Sequence, residues 1–185
     1  MEAITQRTFA ELEAGLDHIR QSPKNDGLLE MIVRRPRTGE REVLDEGHID
    51  LAVGLVGDNW LERLQAKKGD GPLNTHAQLT LMNSRAASLV ALDKERWQLA
   101  GDQLIVDLDL SVGNTPPGTR LAIGSAILEL TSEPHTGCKK FVEHYGMDAM
   151  EFVNSPTGRE LNLRGVNARV IQPGLIRVGD AIRKV

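Results

Sequence analysis

Val166-Asn167-Ala168-Arg169-Val170-Ile171-Gln172-Pro173-Gly174-Leu175-Ile176-Arg177-Val178-Gly179-Asp180-Ala181-Ile182 is the stretch whose reading decides the fold class. Val166, Ala168 and Val170 alternate, which is the period of a strand with one buried face. Pro173-Gly174 reads as a type II turn, in which proline presets φ and glycine supplies φ > 0. Ile176 and Val178 resume the alternation, Gly179-Asp180 turns the chain, and Ile182 closes it. Working outward, Leu121 and Ile123, then Gly124-Ser125, then Ile127, Leu128 and Leu130 predict a hairpin with a two-residue loop. Asn114-Thr115-Pro116-Pro117-Gly118 is a turn before it, and Leu104, Val106, Leu108 and Leu110 alternate before that. Short strands separated by turn signals at this density predict a mainly β chain, a barrel or closely wrapped sheet with a few short α-helices.

Nearer the N-terminus, Thr8-Phe9-Ala10-Glu11 reads as a capping box opening a helix with Phe9, Leu12, Leu16 and Ile19 on one face. That helix is expected to pack on the domain. Leu28 to Val33 is a strand candidate. Arg34, Arg35, Arg37 and Arg41 follow around Pro36 and Gly39, as a solvated hairpin tip or, alternatively, a greeting for an anionic ligand. Ile49 to Val56 is β-tolerant, and Trp60 to Gly71 reads as polar and irregular. Gln78 to Met82 predicts a strand. Asn83 or Ser84 is a natural N-cap for the helical run Ala86 to Trp97. Arg85 in the first turn opposes the helix dipole, which hints at a ligand or ion-pair role. Gly57-Asp58, Gly101-Asp102 and Gly179-Asp180 each follow an apolar strand and read as turn chemistry.

The 185 residues suit one domain, 1–185, with a helix-and-strand extension over 1–45 and a core over 46–185. Aromatic residues make up 3% and the formal net charge is −4. Both argue against a nucleic-acid surface, which needs stacking platforms and a basic face. No stretch has the ~18 apolar residues of a membrane span, and Met1 to Arg7 lacks the apolar core of a leader. One cysteine cannot form an internal disulfide, so a cytoplasmic protein handling a small molecule is expected.

That cysteine lies in Pro134-His135-Thr136-Gly137-Cys138-Lys139-Lys140-Phe141. A thiolate is a nucleophile and a soft-metal ligand, and nearby cations favour it. His135, Lys139 and Lys140 supply cations, and Cys138 to Tyr145 predicts a short helix beginning at the thiol. The alternative is a free cysteine acting as a small buried hydrophobe.

The segments Gly118 to Gly124, His135 to Phe141, Arg164 to Val170 and Gly174 to Asp180 resemble, in order and spacing, a MOSC domain. This is the C-terminal domain of molybdenum-cofactor sulfurases, which also occurs as small stand-alone proteins. The resemblance runs from about Gly57 to the C-terminus. It implies a barrel like that of the pyruvate-kinase barrel domain, and it implies that Cys138 is the functional centre. There Cys138 would carry sulfur as a persulfide, or ligate the metal of a molybdenum cofactor (molybdopterin). Lys139, Lys140, Arg85 and Arg164 are the candidates for the cofactor's phosphate tail, with Asn83 and Ser84 as neutral donors at the pocket edge and His135 beside the thiol. Lys139 and Lys140 could equally be a solvated helix face, and Arg164 could pair with Glu160 or Asp180. His76 would fill part of a His/Gly-rich segment found in stand-alone members. Implied partners are a cysteine desulfurase or an electron-donor protein. Pyridoxal phosphate, often associated with the family, belongs to a separate desulfurase domain, and no Schiff-base lysine motif is present here. Three functions stay open: a cofactor binder or sulfur carrier, a molybdenum-dependent reductase of N-hydroxylated small molecules, and a non-catalytic ligand-binding barrel with a structural cysteine.

Overall fold

The computed structural model describes residues 6–69 and 71–185. The reading of Met1 to Arg7 as lacking a leader's apolar core therefore falls largely outside the described residues, as does Asp70 of the stretch Trp60 to Gly71. The chain begins with two short helices, α1 (Phe9–Ala14) and α2 (Leu16–Arg20). Strands β1 (Gly27–Arg34), β2 (Glu42–Leu44), β3 (Glu46–Asp50) and β4 (Gly54–Leu55) follow, then α3 (Trp60–Lys68). Next come β5 (Leu79–Asn83), α4 (Ser84–Ala91), a 3₁₀ segment (Lys94–Ala100) and β6 (Leu104–Asp107). The hairpin β7 (Arg120–Ile123) and β8 (Ala126–Leu130) precedes three helices, α5 (Lys139–Tyr145), α6 (Met147–Asn154) and α7 (Pro156–Glu160). The chain ends on β9 (Val166–Gln172), β10 (Gly174–Arg177) and β11 (Ala181–Lys184).

Seven strands close a barrel in the order β11-β7-β8-β9-β5-β6-β1, with β1 pairing back to β11 and β2 flanking β1 outside the ring. Closure leaves no unpaired edge in the ring itself. Because β1 is one of the seven, the barrel draws a wall from residues ahead of position 45. Strands β5 and β6 pair in parallel, which demands a crossover connection; α4 and the 3₁₀ segment supply it. The alternating residues point as the pattern predicts. Leu104, Val106, Leu121, Ile123, Leu128, Leu130, Ala168, Val170 and Ile182 are buried in one cluster inside the barrel.

A second cluster lies between the barrel's outer wall and the helices. Met31, Val33, Met82 and Ile105 present the opposite faces of β1, β5 and β6 to Leu12, Ile19, Phe141, Tyr145 and Phe152. Strand β1 serves both clusters because its register shifts between Leu29 and Met31, and a bulge of this kind re-aims the side chains that follow it. The Thr8–Glu11 capping box is present, with both reciprocal hydrogen bonds made. The helix it opens breaks at Gly15 into α1 and α2, and both pieces pack on the domain.

Two local expectations are corrected. Pro173-Gly174 is not a type II turn: Gly174 begins β10, which leaves the barrel and pairs with β3 in a second, three-stranded sheet. A Cβ on Gly174 would come within 2.5 Å of the Ser125 carbonyl carbon, so close passage over the β7–β8 turn is what requires glycine. Residues 60–68 are helix α3 rather than irregular chain. Trp-Leu-Glu-Arg-Leu-Gln-Ala-Lys-Lys is rich in helix formers, Asp58 Oδ1 accepts from the Trp60 backbone N–H at 3.0 Å, and buried Trp60 anchors it. No helix among the described residues is long and apolar enough to cross a membrane.

Candidate functional site

The loop that carries the cysteine has no regular structure of its own between β8 and α5, yet side chains pin it at several points. Asn167 of β9 donates from Nδ2 to the carbonyls of Glu133 (3.0 Å) and Pro134 (3.2 Å). The Gly137 N–H donates to Asn154 Oδ1 of α6 at 2.9 Å. His135 Nε2 meets Asp102 Oδ1 at 2.9 Å. Cys138 follows as the N-cap of α5, in extended backbone and with an exposed side chain. The predicted helix start is therefore present. An exposed thiol held by a pinned loop is not placed as a packing cysteine would be.

Behind the thiol lies a buried electrostatic unit. Asp102 is fully buried and accepts from Arg164 Nη1 at 2.6 Å as well as meeting His135. Burial alone would raise its carboxyl, but the Arg164 guanidinium, the His135 imidazole and the hydrogen bonds from both override that and hold it down at about 2. Arg164 Nη2 donates to the Ala100 carbonyl at 2.8 Å, and its guanidinium stacks 5.0 Å from the Phe141 ring centroid. Its Nε is buried without a partner. Arg164 thus pairs with neither Glu160 nor Asp180. A second such unit stands nearby: Arg35 makes a two-pronged contact with buried Asp58, Nε to Oδ2 and Nη2 to Oδ1, both at 2.8 Å, and donates from Nη1 to the Gly101 carbonyl. Two of the three Gly-Asp pairs that read as turns thus supply the carboxylates that fix two buried arginines.

Both units open on one cleft of about 610 Å³ that Cys138 also lines. The barrel rim contributes Thr80, Gln103 and Asn167; α3 contributes Arg63, Leu64 and Lys67; the β1–β2 loop contributes Arg35, Arg37 and Arg41. Among the described residues, seven Lys or Arg line the cleft against one carboxylate, Glu133, in a chain whose net charge is −4. Asp102 and Asp58 neutralise two of the seven from behind. No carboxylate among the described residues pairs with Arg41, Arg63, Lys67 or Lys140.

Of the residues singled out from sequence, His135, Cys138, Lys140 and Arg164 meet in the cleft. Asn83, Ser84, Arg85 and Lys139 do not line it. Asn83 caps α4, its Oδ1 accepting from the N–H groups of Arg85 and Ala86 and its Nδ2 donating to Ser22 Oγ and the Leu108 carbonyl. Ser84 is buried beside it. Arg85 pairs with Asp107 at 2.9 Å and donates to the His18 carbonyl, which answers its awkward place in the first turn. Lys139 and His76 are exposed. Sequence reasoning took Asp58 and Asp102 for turn chemistry, left Arg35, Arg37 and Arg41 open between a solvated hairpin tip and an anion contact, and passed over Arg63. The available signals were the recurrent Gly-Asp and the Arg-rich turn.

Residues 75–183 match the model of the MOSC domain. The chain belongs to the MOSC domain family. The MOSC match contains Asp102, His135, Cys138, Lys140 and Arg164, while Arg35, Arg37, Arg41, Arg63 and Lys67 precede it. Among solved structures, the chain is similar to the YuaD protein from Bacillus subtilis, at 18% identity and a TM-score of 0.60, over 84% of this chain and 93% of that one. It is also similar to YiiM from Escherichia coli, at 20% identity and a TM-score of 0.55, over 85% and 69% of the two chains. Both likenesses are of fold. No curated protein sequence matches.

Proposed function

We propose that this MOSC protein binds a molybdenum cofactor in the cleft, with the Cys138 sulfur as its protein ligand to the metal. One observation carries the reading: a lone exposed thiol shares its cleft, among the described residues, with seven cations and one carboxylate. The donor set suits such a group. Thiolate sulfur is a soft ligand, and phosphate is taken up by charge-assisted hydrogen bonds from Arg and Lys. The buried, unpartnered Arg164 Nε, Arg41 Nε and Asn59 Oδ1 all belong to residues lining the cleft, and buried polar atoms ordinarily have partners. Among the described residues, no three His, Cys, Asp or Glu side chains converge to hold a metal ion, so a metal here would arrive carrying donors of its own. When bound, the cofactor supplies a redox-active metal that exchanges oxygen or sulfur atoms.

The chain's own residues do the rest. Arg164 and Phe141 form a fixed wall, because both ends of the guanidinium are held by Asp102 and the Ala100 carbonyl. Asp102 fixes the His135 ring through Nε2 and leaves Nδ1 to hold or release a proton. Asn167 and Asn154 keep the Cys138 loop from drifting. A second reading, sulfur carried on Cys138 as a persulfide from a cysteine desulfurase, is favoured by the exposure of the thiol, which leaves it open to a donor protein. The two separate on protein purified from a host that makes the cofactor. Pterin fluorescence present in wild type and lost in Cys138→Ser supports cofactor binding. A mass increase of one sulfur on Cys138 with no pterin supports the carrier. Neither signal in wild type overturns both.

A further inference from the structure

His135 is held more firmly than the loop around it needs. Asn167 Nδ2 pins the backbone ahead of it through the Glu133 and Pro134 carbonyls, and Asn154 Oδ1 pins it behind through the Gly137 N–H. Arg164 already compensates the buried charge of Asp102. The 2.9 Å contact between His135 Nε2 and Asp102 Oδ1 is therefore needed neither to fasten the loop nor to neutralise the carboxylate. What it fixes is the ring. A Cβ on Gly165 would stand 3.2 Å from His135 Cδ2, so the Nε2–Cδ2 edge is turned to the buried side. The other nitrogen, Nδ1, takes no hydrogen-bond partner among the described residues, and the side chain lines the cleft. The Asp102 carboxyl is held at about 2, so near neutral pH it only accepts and Nε2 must carry a proton. Nδ1 is then the one ring nitrogen free to gain or lose a proton. The ionisable groups around the ring are Asp102 ahead of β6, Arg164 ahead of β9, Glu133 and Cys138 in its own loop, and Lys140 on α5. Among the described residues no hydrogen bond joins His135 to Cys138, so Nδ1 serves an atom bound beside the thiol rather than the thiol itself.

We infer that His135 is a general acid of the cleft, giving its Nδ1 proton to the sulfur displaced when Cys138 attacks a persulfide or disulfide, with Asp102 as the residue that positions it. The inference deepens the second reading above, in which Cys138 takes sulfur, and does not rest on molybdenum. The Cys138 sulfur attacks the outer sulfur of a donor persulfide. A new S–S bond forms as the donor's own S–S bond breaks, and the electron pair leaves on the donor sulfur. That thiolate takes the Nδ1 proton and departs as a thiol, and water returns a proton to the ring. One S–S bond replaces another, so no outside oxidant or reductant is required. A basic leaving thiolate departs slowly, which is where a positioned proton donor contributes. A carboxylate on the far nitrogen keeps the imidazole in one tautomer and stabilises its charged form.

Two uncharged reagents test it on the full chain, expressed without the cofactor so that Cys138 is a free thiol. Bis(2-hydroxyethyl) disulfide expels a basic thiolate, whereas methyl methanethiosulfonate expels a sulfinate that needs no proton. The ratio of their rates cancels any change in the ionisation of Cys138 itself. His135→Gln, whose amide can still donate to Asp102, should slow the disulfide about tenfold or more and leave the thiosulfonate unchanged. Asp102→Asn should show the same selective loss, and His76→Gln, which removes an exposed histidine outside the cleft, should alter neither rate. Long-range ¹H–¹⁵N spectra of wild type supply a reading that depends on no variant's folding: the neutral His135 ring should carry its proton on Nε2. Equal slowing of both reagents by His135→Gln, no slowing of either, or a neutral ring protonated on Nδ1 overturns the inference. Selective loss in a chain found to carry neither pterin nor persulfide keeps the proton donor and removes the proposed function. An unchanged ratio in a chain found to take up sulfur on Cys138 keeps the carrier and removes the proton donor.

Discussion

Replacing Asp102 by asparagine keeps the shape of the side chain and removes the one charge that compensates a buried arginine. In the wild type, Arg164 Nη1 and His135 Nε2 meet the two oxygens of this fully buried carboxylate at 2.6 and 2.9 Å. Asparagine can accept from only one of them and turns an N–H₂ toward the other, with Arg164 still charged. Breaking a buried pair in this way costs about 3–5 kcal/mol, which for a chain of this size is a fall in melting temperature of about 6–20 °C. The acid limb of wild-type stability gives an independent check. The carboxyl moves from 3.8 to about 2 on folding, so its contribution is present above the unfolded value and is lost as pH falls from about 4 to 2. That shift corresponds to about 2.5 kcal/mol. It is smaller than the mutational cost because protonation leaves an acceptor in place, whereas the amide adds a misplaced donor. Urea unfolding of wild type and Asp102→Asn between pH 2 and pH 7 reads both numbers. Equal stability at pH 7, or curves that fail to converge toward pH 2, would refute the reasoning. Adding Arg164→Met to Asp102→Asn should recover part of the loss, since it removes the uncompensated charge.

Three further outcomes follow from the structure. Tyr145 is the only tyrosine; burial chiefly, and Asp102 next, push its phenol up from 10.0, and its hydroxyl donates to the Arg96 carbonyl at 2.7 Å. Phenolate absorbance at 295 nm should therefore appear only as the chain unfolds, with stability falling as pH rises past about 10; reversible ionisation of the folded chain near 10 would contradict this. Gly165 has φ +111°, and a Cβ there would stand 2.3 Å from the Leu81 carbonyl oxygen; Gly165→Ala should cost more than the ~1–3 kcal/mol of backbone strain alone, and a cost below 1 kcal/mol in urea unfolding would show the contact relaxes freely. Cys138→Ser should lie within about 0.5 kcal/mol of wild type, as an exposed substitution does, and one thiol per native chain should react at once with a chromogenic disulfide; a slow thiol or a large stability loss would restore the structural-cysteine reading.

The strands were legible because barrel walls have a simple period: Leu104 and Val106, Leu121 and Ile123, and Val166, Ala168 and Val170 all face the interior that their alternation implies. The helix beginning at Cys138 was legible from the thiol's own neighbourhood. Strand β10 was not, because Pro173-Gly174 carries the same letters whether the chain turns back or crosses to another sheet, and only the approach of Ser125 decides. Helix α3 has no apolar stripe to announce it; its stability comes from Asp58 and buried Trp60, and its exposed face serves the cleft. The site was half legible. Cys138, His135, Lys140 and Arg164 share the Cys138 loop, its helix and the turn before β9, where motif and geometry coincide. Arg41 and Arg63 enter from elements far away in sequence, and Asp102 works from behind as a buried counter-ion, which Gly101-Asp102 alone does not distinguish from a turn. Arg85 drew attention for being out of place on a helix, and Asp107 accounts for it.

The most direct test of the account is the molybdenum content per chain, by elemental mass spectrometry, of wild type and Cys138→Ser purified side by side from a host that makes the cofactor. The account predicts metal approaching one atom per wild-type chain and its loss from a Cys138→Ser protein that melts at the same temperature. Equal metal in both, or none in the wild type, would contradict the assignment of Cys138 as the ligand.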